Sequence, residues 1–336
     1  MGHNIELTPQ ERRMITDAYR FDAMPLRLDS EETARFKREL ESIDSQAYRT
    51  EYPELKARNL IPIQPGIPDW ARVYTWRMFD HQGKSRVVSN KADDLPTVNV
   101  KGEEGHKNIY TLANAADWDR DELRAALFTG QGLDAEKAVA ARDIIERDID
   151  DILATGHSSP NMQGILTLST SDVTTFSPAD KDGTSSPNWF DGDTLVASAD
   201  EMRKDVEGLV HKVVDETEEL YTNFVVVLPL KHYSELAATP KGNNADRTVL
   251  QYILQNNPHI SRIVPWNKTK EVTSGGNNRM ACWPDGNRRV VAGIVPMEFT
   301  PLEIQMKALT FLRPYIAKVG GVVARYPVAI GYADDI

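Results

Sequence analysis

Residues 134–155 read DAEKAVAARDIIERDIDDILAT. Apolar residues stand at Ala138, Ala141, Ile145, Ile149 and Ile152, spaced 3, 4, 4 and 3, the repeat of a helix with one dry stripe. Asp134 is placed to cap its start and Gly156 to end it in a left-handed turn. On the wetter faces Arg142 and Glu146, and Arg147 and Asp151, stand four residues apart, as ion pairs worth about 0.2–0.5 kcal/mol each. Such a helix is about 32 Å long. It spans a domain and offers one narrow stripe for neighbours to pack on. Alone it reads as an ordinary core helix, and its neighbours in the chain decide what it supports.

Before it, Trp118 to Phe128 (WDRDELRAALF) reads as a short helix, ended by Gly130 and Gly132. Residues 72–110 form a long β excursion. Val73 to Phe79 (VYTWRMF) is strand-like, Asp80 to Gly83 turns the chain, and Ser85 to Ser89 is positioned to return as a partner strand. The polar stretch from Asn90 to Gly105 has one further strand candidate, Thr97 to Val100. A two-stranded ribbon is marginal in water, so this one must lie on something else. Residues 1–60 read as an arm. Thr8-Pro9-Gln10-Glu11 is a capping box that opens one short helix, and a second begins after Ser30 with Phe36, Leu40 and Ile43 as its stripe. Pro62, Pro65, Gly66 and Pro68 keep the connection to the ribbon extended.

After the long helix come a loop, Gly156 to Gly164, and a strand-like Ile165 to Leu168. Residues 170–192, rich in Ser, Thr, Asp, Gly and Pro, read as an internal boundary. Beyond it the pattern is α/β. Leu195, Ala199, Met202, Val206, Leu209 and Val213 mark an amphipathic helix with Asp193 as its expected cap and Gly208 inside it. FVVVL at 224–228 is a buried strand. Helices are expected at 230–238 and 247–255, and strands at 260–264, 280–283 and 290–295, with a polar loop at 268–279. Leu302, Ile304, Met306 and Ala308 alternate as in a strand, and further strands are expected at 315–319 and 322–326, broken by Gly320-Gly321.

With 336 residues and 40% apolar composition the chain can bury a large core in two domains or subdomains. Its net charge of −11 argues against a protein built mainly to grip nucleic-acid phosphates. One cysteine, Cys282, excludes an intramolecular disulfide and fits synthesis in a reducing cytoplasm. No signal-peptide core and no 18-residue apolar run occurs, so a soluble chain is expected. Cys282 lies in a strand-like MACWP and reads as a buried thiol, not a nucleophile. The seven histidines (His3, His81, His106, His157, His211, His232, His259) lack metal-ligand spacing. Gly130 and Gly132 lie between helices, a hinge and not a phosphate cradle. Asp93-Asp94 and Asp150-Asp151 read as solvated charges, and tryptophans such as Trp70, Trp76, Trp118 and Trp266 as core or interface anchors. No catalytic, cofactor-binding or metal-binding residue is assigned, and no cofactor.

The order of parts, and several local stretches, resemble tailed-phage major capsid proteins, the fold shared with encapsulins, in a branch long known as a domain of unknown function. The stretches are LIPI at 60–63, YTWRMFDHQGKSR at 74–86, DDLP at 93–96, ELRAALFTGQGLDAEKAVAARDIIERDIDDI at 122–152, ATGHSSPNMQGIL at 154–166 and VVVLPLKHYSEL at 225–236. The resemblance implies an α+β capsid fold: N-terminal arm 1–60, extended loop (E-loop) 70–112 over an adjacent subunit, peripheral domain 113–192 and 297–336 on the spine helix, and α/β axial domain 193–296. It implies a non-enzymatic shell protein that self-assembles into the icosahedral head of a tailed phage or prophage, in the bacterial host cytoplasm. Its partners would be itself, in hexameric and pentameric capsomers, then scaffold, portal and decoration proteins, and packaged DNA touched non-specifically at the inner surface; no membrane. Some capsids of this fold weld the loop to a neighbour through a lysine–asparagine bond. Lys84 and Lys91 lie in the loop, but 302–336 has no asparagine, so the weld is not carried over. An encapsulin-like nanocompartment is the alternative. An α/β enzyme or small-molecule binder using 193–296 is a third reading, and it requires a deep pocket with convergent titratable groups.

Overall fold

The computed structural model describes residues 52–87, 96–122, 133–158, 162–181, 185–242, 247–273, 276–308 and 310–336, with the backbone only at 133–135. The two arm helices, the helix expected to run on to Phe128, the Gly130–Gly132 hinge, Lys91, Asp93-Asp94 and the Asp134 cap lie outside these residues. A one-turn helix α1 (Ala57–Leu60) precedes strands β1 (Val73–Gln82), β2 (Asn99–Asn108) and β3 (Tyr110–Asp119), then the long helix α2 (Leu133–Ala154). Strand β4 (Thr174–Phe176) leads to α3 (Ala199–Glu216), β5 (Phe224–Leu228), α4 (Leu230–Ala238), α5 (Val249–Asn256), β6 (Ile260–Pro265) and β7 (Arg279–Pro284). The chain closes with β8 (Val291–Ile294), β9 (Met297–Pro301), β10 (Gln305–Lys307), β11 (Thr310–Val319), β12 (Gly321–Ala324) and β13 (Gly331–Asp334).

Helix α2 carries the stripe its spacing predicts: Ala141, Ile145, Ile149 and Ile152 are buried, and Ala138 packs against the same core. Gly156 ends it at φ +82°, where a β-carbon would come within 2.1 Å of the Met162 carbonyl oxygen. The ion pairs expected along the helix are replaced by longer-range ones. Glu146 pairs with Arg58 at 2.8 Å, and Asp151 with Lys268. Asp150, expected to be solvated, is buried and accepts the Ala57 amide hydrogen at 2.7 Å, satisfying the N-terminus of α1. Burial holds its carboxyl above the usual carboxylate range.

Against α2 lies a sheet centred on β11. Strand β3 pairs with it along ten residues, from Thr310↔Asp119 to Val319↔Tyr110, while β9 and β10 pair with successive parts of β11. β3 corrects the expected helix at 118–128: the chain stays extended through Asp119 and turns helical only at Arg120. Tyr110, Leu112, Asn114, Ala116 and Trp118 alternate inward, and the Asn114 side chain donates to the Ala141 carbonyl oxygen at 2.8 Å. Ile165 to Leu168 is a buried turn, not a strand; its amides cap the end of α2 at Leu153 and Ala154.

A second core is built on a five-stranded sheet of order β6-β5-β7-β13-β4. All five residues of β5 are buried. Helix α3 covers the sheet with Met202, Val206, Leu209 and Val213. Its cap is Ser198, in a reciprocal capping box with Glu201, and not Asp193, which pairs with Lys231 at 3.0 Å in the Phe190–Leu195 turn. The stretch 170–192, read as a boundary, supplies β4 and the buried Trp189 to this core. The Trp189 indole and the buried Lys181 ammonium both donate to Asp205, at 2.7 and 2.6 Å. Cys282 in β7 is fully buried, and burial pushes its thiol up to about 12, so it packs and does not react.

Candidate assembly interface

The most exposed part of the subunit begins with β1 and β2. They pair antiparallel over ten positions, from Val73↔Asn108 to Gln82↔Asn99. The turn expected at Asp80 to Gly83 is therefore strand through Gln82, and the partner is Asn99–Asn108, not Ser85 to Ser89. The sequence NVKGEEGHKN has little β-propensity. It is held by its register: Gly105 faces Trp76, whose ring lies where a β-carbon would stand, 2.3 Å from Cζ2.

The root of this hairpin is fixed. Ile67, Ala71, Tyr74 and Trp76 pack on Ile109, Ile294 and Val323. The Arg325 guanidinium donates to the Tyr74 hydroxyl at 2.7 Å and to the Gln64 amide oxygen at 3.2 Å. Lys107 donates to the Gln163 side-chain oxygen at 3.2 Å, and burial lowers its ammonium pKa. Further out the hairpin covers little. Phe79 is 65% exposed, Val98 73% and Val100 51%. A second apolar tip lies at the far end of the β3/β11 ladder, about 30 Å from the root. There Leu302, Ile304 and Met306 are exposed; the expected four-residue alternation is not one strand, since only Gln305–Lys307 is strand and Leu302 is held by its amide donating to the Pro314 carbonyl oxygen at 2.9 Å.

Among the described residues no group of three His, Cys, Asp or Glu is placed to hold a metal ion. His232 is buried against Trp189 and Phe190, donates from Nε2 to the Ile336 carbonyl oxygen at 3.0 Å, and is lowered by burial to about 4, so it stays neutral. Trp189 and Trp283 are fully buried, Trp118 and Trp266 nearly so, and Trp70 is exposed. Lys84 is exposed in the loop beyond β1. No described helix is long and apolar enough to cross a membrane. A basic cleft at the hairpin root is formed by Arg77, Arg288, Arg289 and Arg325; the adjacent Arg288-Arg289 is its only local trace in the sequence.

The family model for major capsid proteins matches residues 83–336. The fold is similar to the capsid of Myoviridae phage XM1, with TM-score 0.72 and 18% identity over 89% of this chain and 98% of that one. It is similar to the capsid of the native GTA particle at TM-score 0.61 and 13% identity, covering 91% and 99%. A virus-like particle from Pyrococcus furiosus is more distant, at TM-score 0.50 and 13% identity over 82% and 90%. No curated protein matches the chain. The nanocompartment alternative is thus the weaker one, and the chain belongs to the major capsid protein family.

Proposed function

We propose that the β1/β2 hairpin, within the E-loop 70–112, lies over a neighbouring subunit and completes its surface only in the particle. The observation that carries this reading is the exposure of Phe79, Val98 and Val100 on a ribbon that its own subunit holds only at the root. Residues 113–192 and 297–336 then act as the peripheral domain on α2, 193–296 as the axial domain at the capsomer centre, and 1–60 as the arm. Subunits close hexamers and pentamers through heterologous contacts, each modest, summed over the shell. Scaffold, portal and decoration proteins meet the shell, and packaged DNA touches its inner surface without sequence preference. Assembly takes place in the host cytoplasm, and the chain does no chemistry of its own.

The test is a photo-reactive phenylalanine analogue in place of Val98. Irradiated particles should give covalent dimers whose linked peptide comes from another copy. Linkage only within one chain would contradict the reading.

A further inference from the structure

Arg288, Arg289 and Arg325 meet Arg77 at the hairpin root around a cleft of about 390 Å³ that Met78 and Tyr326 also line. No acidic side chain lines it. Arg77 is matched by Glu104 at 2.6 Å. The other three have no carboxylate partner among the described residues: Arg325 is held by the neutral Tyr74, Gln64 and the Arg288 carbonyl oxygen, and Arg288 and Arg289 are exposed. Three unmatched guanidinium groups in a chain of net charge −11 call for a counter-charge.

The opposite charge stands close by. Helix α3 ends in Asp215 and Glu216, and the chain turns through Glu218 and Glu219, so four exposed carboxylates fall within five residues. They sit at the negative end of the helix, with no basic residue in its last turn. Glu218 and Glu219 hold φ of +50° and +61°, a region that disfavours residues with a β-carbon. Leu220 follows, 70% exposed. None of the four carboxylates has a cationic partner among the described residues. The Asn223 carbonyl oxygen, just beyond the turn, accepts the Asp285 amide hydrogen at 2.8 Å, and α3 packs against the Pro327–Ala329 turn, which brings the 215–220 turn close to the segments that carry Arg288, Arg289 and Arg325.

We infer that this face is a self-complementary contact between two copies of the chain, in which the 215–220 turn of one subunit enters the arginine cleft of the other. Leu220 then packs toward Met78 and Tyr326. A two-fold operation exchanges adjacent acidic and basic patches and makes both contacts at once, whereas a head-to-tail ring contact needs its halves on different sides. The contact rests on the shell reading and places this face between capsomers. Each exposed ion pair contributes little alone and is screened by salt, but the pairs recur throughout a closed shell. Nucleic-acid phosphate also suits guanidinium groups, yet the neighbouring acidic turn would repel a polyanion.

The test uses two full-length proteins with one patch altered in each: Arg288→Glu/Arg289→Glu, whose cleft keeps only Arg77 and Arg325 as cations, and Glu218→Arg/Glu219→Arg, whose turn keeps only Asp215 and Glu216 as anions. Both should melt as the wild type does, and each alone should stop at small oligomers in low salt. Co-expressed with different tags, they should co-purify and recover particles on sedimentation. Wild-type protein that forms no particle overturns the shell reading and this contact together. Wild-type shells alongside shells from either variant alone overturn the contact only. So does a mixture that stays unassembled, which would put the charge effect inside one subunit, or a variant without cooperative melting. Intact Arg288→Glu/Arg289→Glu shells that lose affinity for a short DNA duplex make the cleft a nucleic-acid site and overturn it too.

Discussion

Strands β5 and β2 are the two extremes of this subunit. Every residue of FVVVL is buried, between a parallel neighbour on one edge and an antiparallel one on the other. Most of NVKGEEGHKN is exposed, and it has one partner strand. The first is stabilised by apolar surface removed from water, about 25 cal/mol for each Å². The second depends on ladder hydrogen bonds and on Trp76 lying across Gly105, too little for a ribbon in water. The contrast divides the chain into parts whose free energy is settled within the subunit and parts that, in the proposed assembly, a second copy completes.

The largest expected effect lies on the buried side. Replacing Ile145 and Ile149 together by aspartate places two unpaired carboxylates where the side chains are 1% and 0% exposed. The cost is several kcal/mol, on the order of the whole stability of about 5–15 kcal/mol. Loss of a cooperative thermal transition is expected; wild-type yield with cooperative melting would break the comparison at its firmest point.

His232 sharpens it by pH. Its folded value of about 4 lies below the ordinary 6.5, first because of burial, with the Ile336 hydrogen bond opposing and Lys231 adding. The unfolded chain therefore binds more protons between those values. Stability from this residue is full above pH 6.5 and is lost as pH falls towards 4, by about 3 kcal/mol in all. Burial raises Asp150 and Asp205, which act in the opposite sense, so the measurement is a difference. Urea midpoints of wild type and His232→Gln should diverge less at pH 4 than at pH 7; parallel profiles would show that His232 is not held neutral.

A smaller effect is expected at Gly208, where a β-carbon would lie 2.7 Å from the Phe176 ring. Alanine gains up to about 1 kcal/mol of helix propensity but overpacks by about 1–3 kcal/mol. Gly208→Ala should lower stability by about 1 kcal/mol, and adding Phe176→Leu should recover it in denaturant titrations. The smallest effect is expected at the exposed pair. Phe79→Ser with Val100→Thr should move stability by no more than about 0.5 kcal/mol while slowing assembly followed by light scattering. A larger drop in stability would move the outer hairpin to the buried side.

The sequence is legible where a local pattern reports burial. The stripe of α2 follows from its spacing, and β5 from five consecutive apolar residues buried on both faces. β3 is not legible, because Ala113, Asn114, Ala115, Ala116 and Asp117 have weak β-propensity and only the pairing with β11 makes them a strand. β2 and β13 are obscured in the same way, and the ion pairs of α2 are not legible because the partners, Arg58 and Lys268, come from distant segments. The basic cleft is hidden too. The cleft draws on residues 77, 288–289 and 325, which only the fold brings together. Residue chemistry alone assigns no shell; the resemblance spread along the chain supplies that assignment, and the family match supports it.

The central claim is that the β1/β2 hairpin belongs to assembly and not to the subunit's own fold. The most direct measurement is the sedimentation profile of a protein in which the chain between Arg77 and Asn108 is replaced by a tight Asn-Gly turn, with its melting temperature as the control. Tyr74 and Trp76 remain to close the root, so melting should stay near that of the wild type. Every subunit loses the same contact, so sedimentation should show small oligomers where the wild type gives shells. Unchanged shells, or a large fall in melting temperature, would contradict the account.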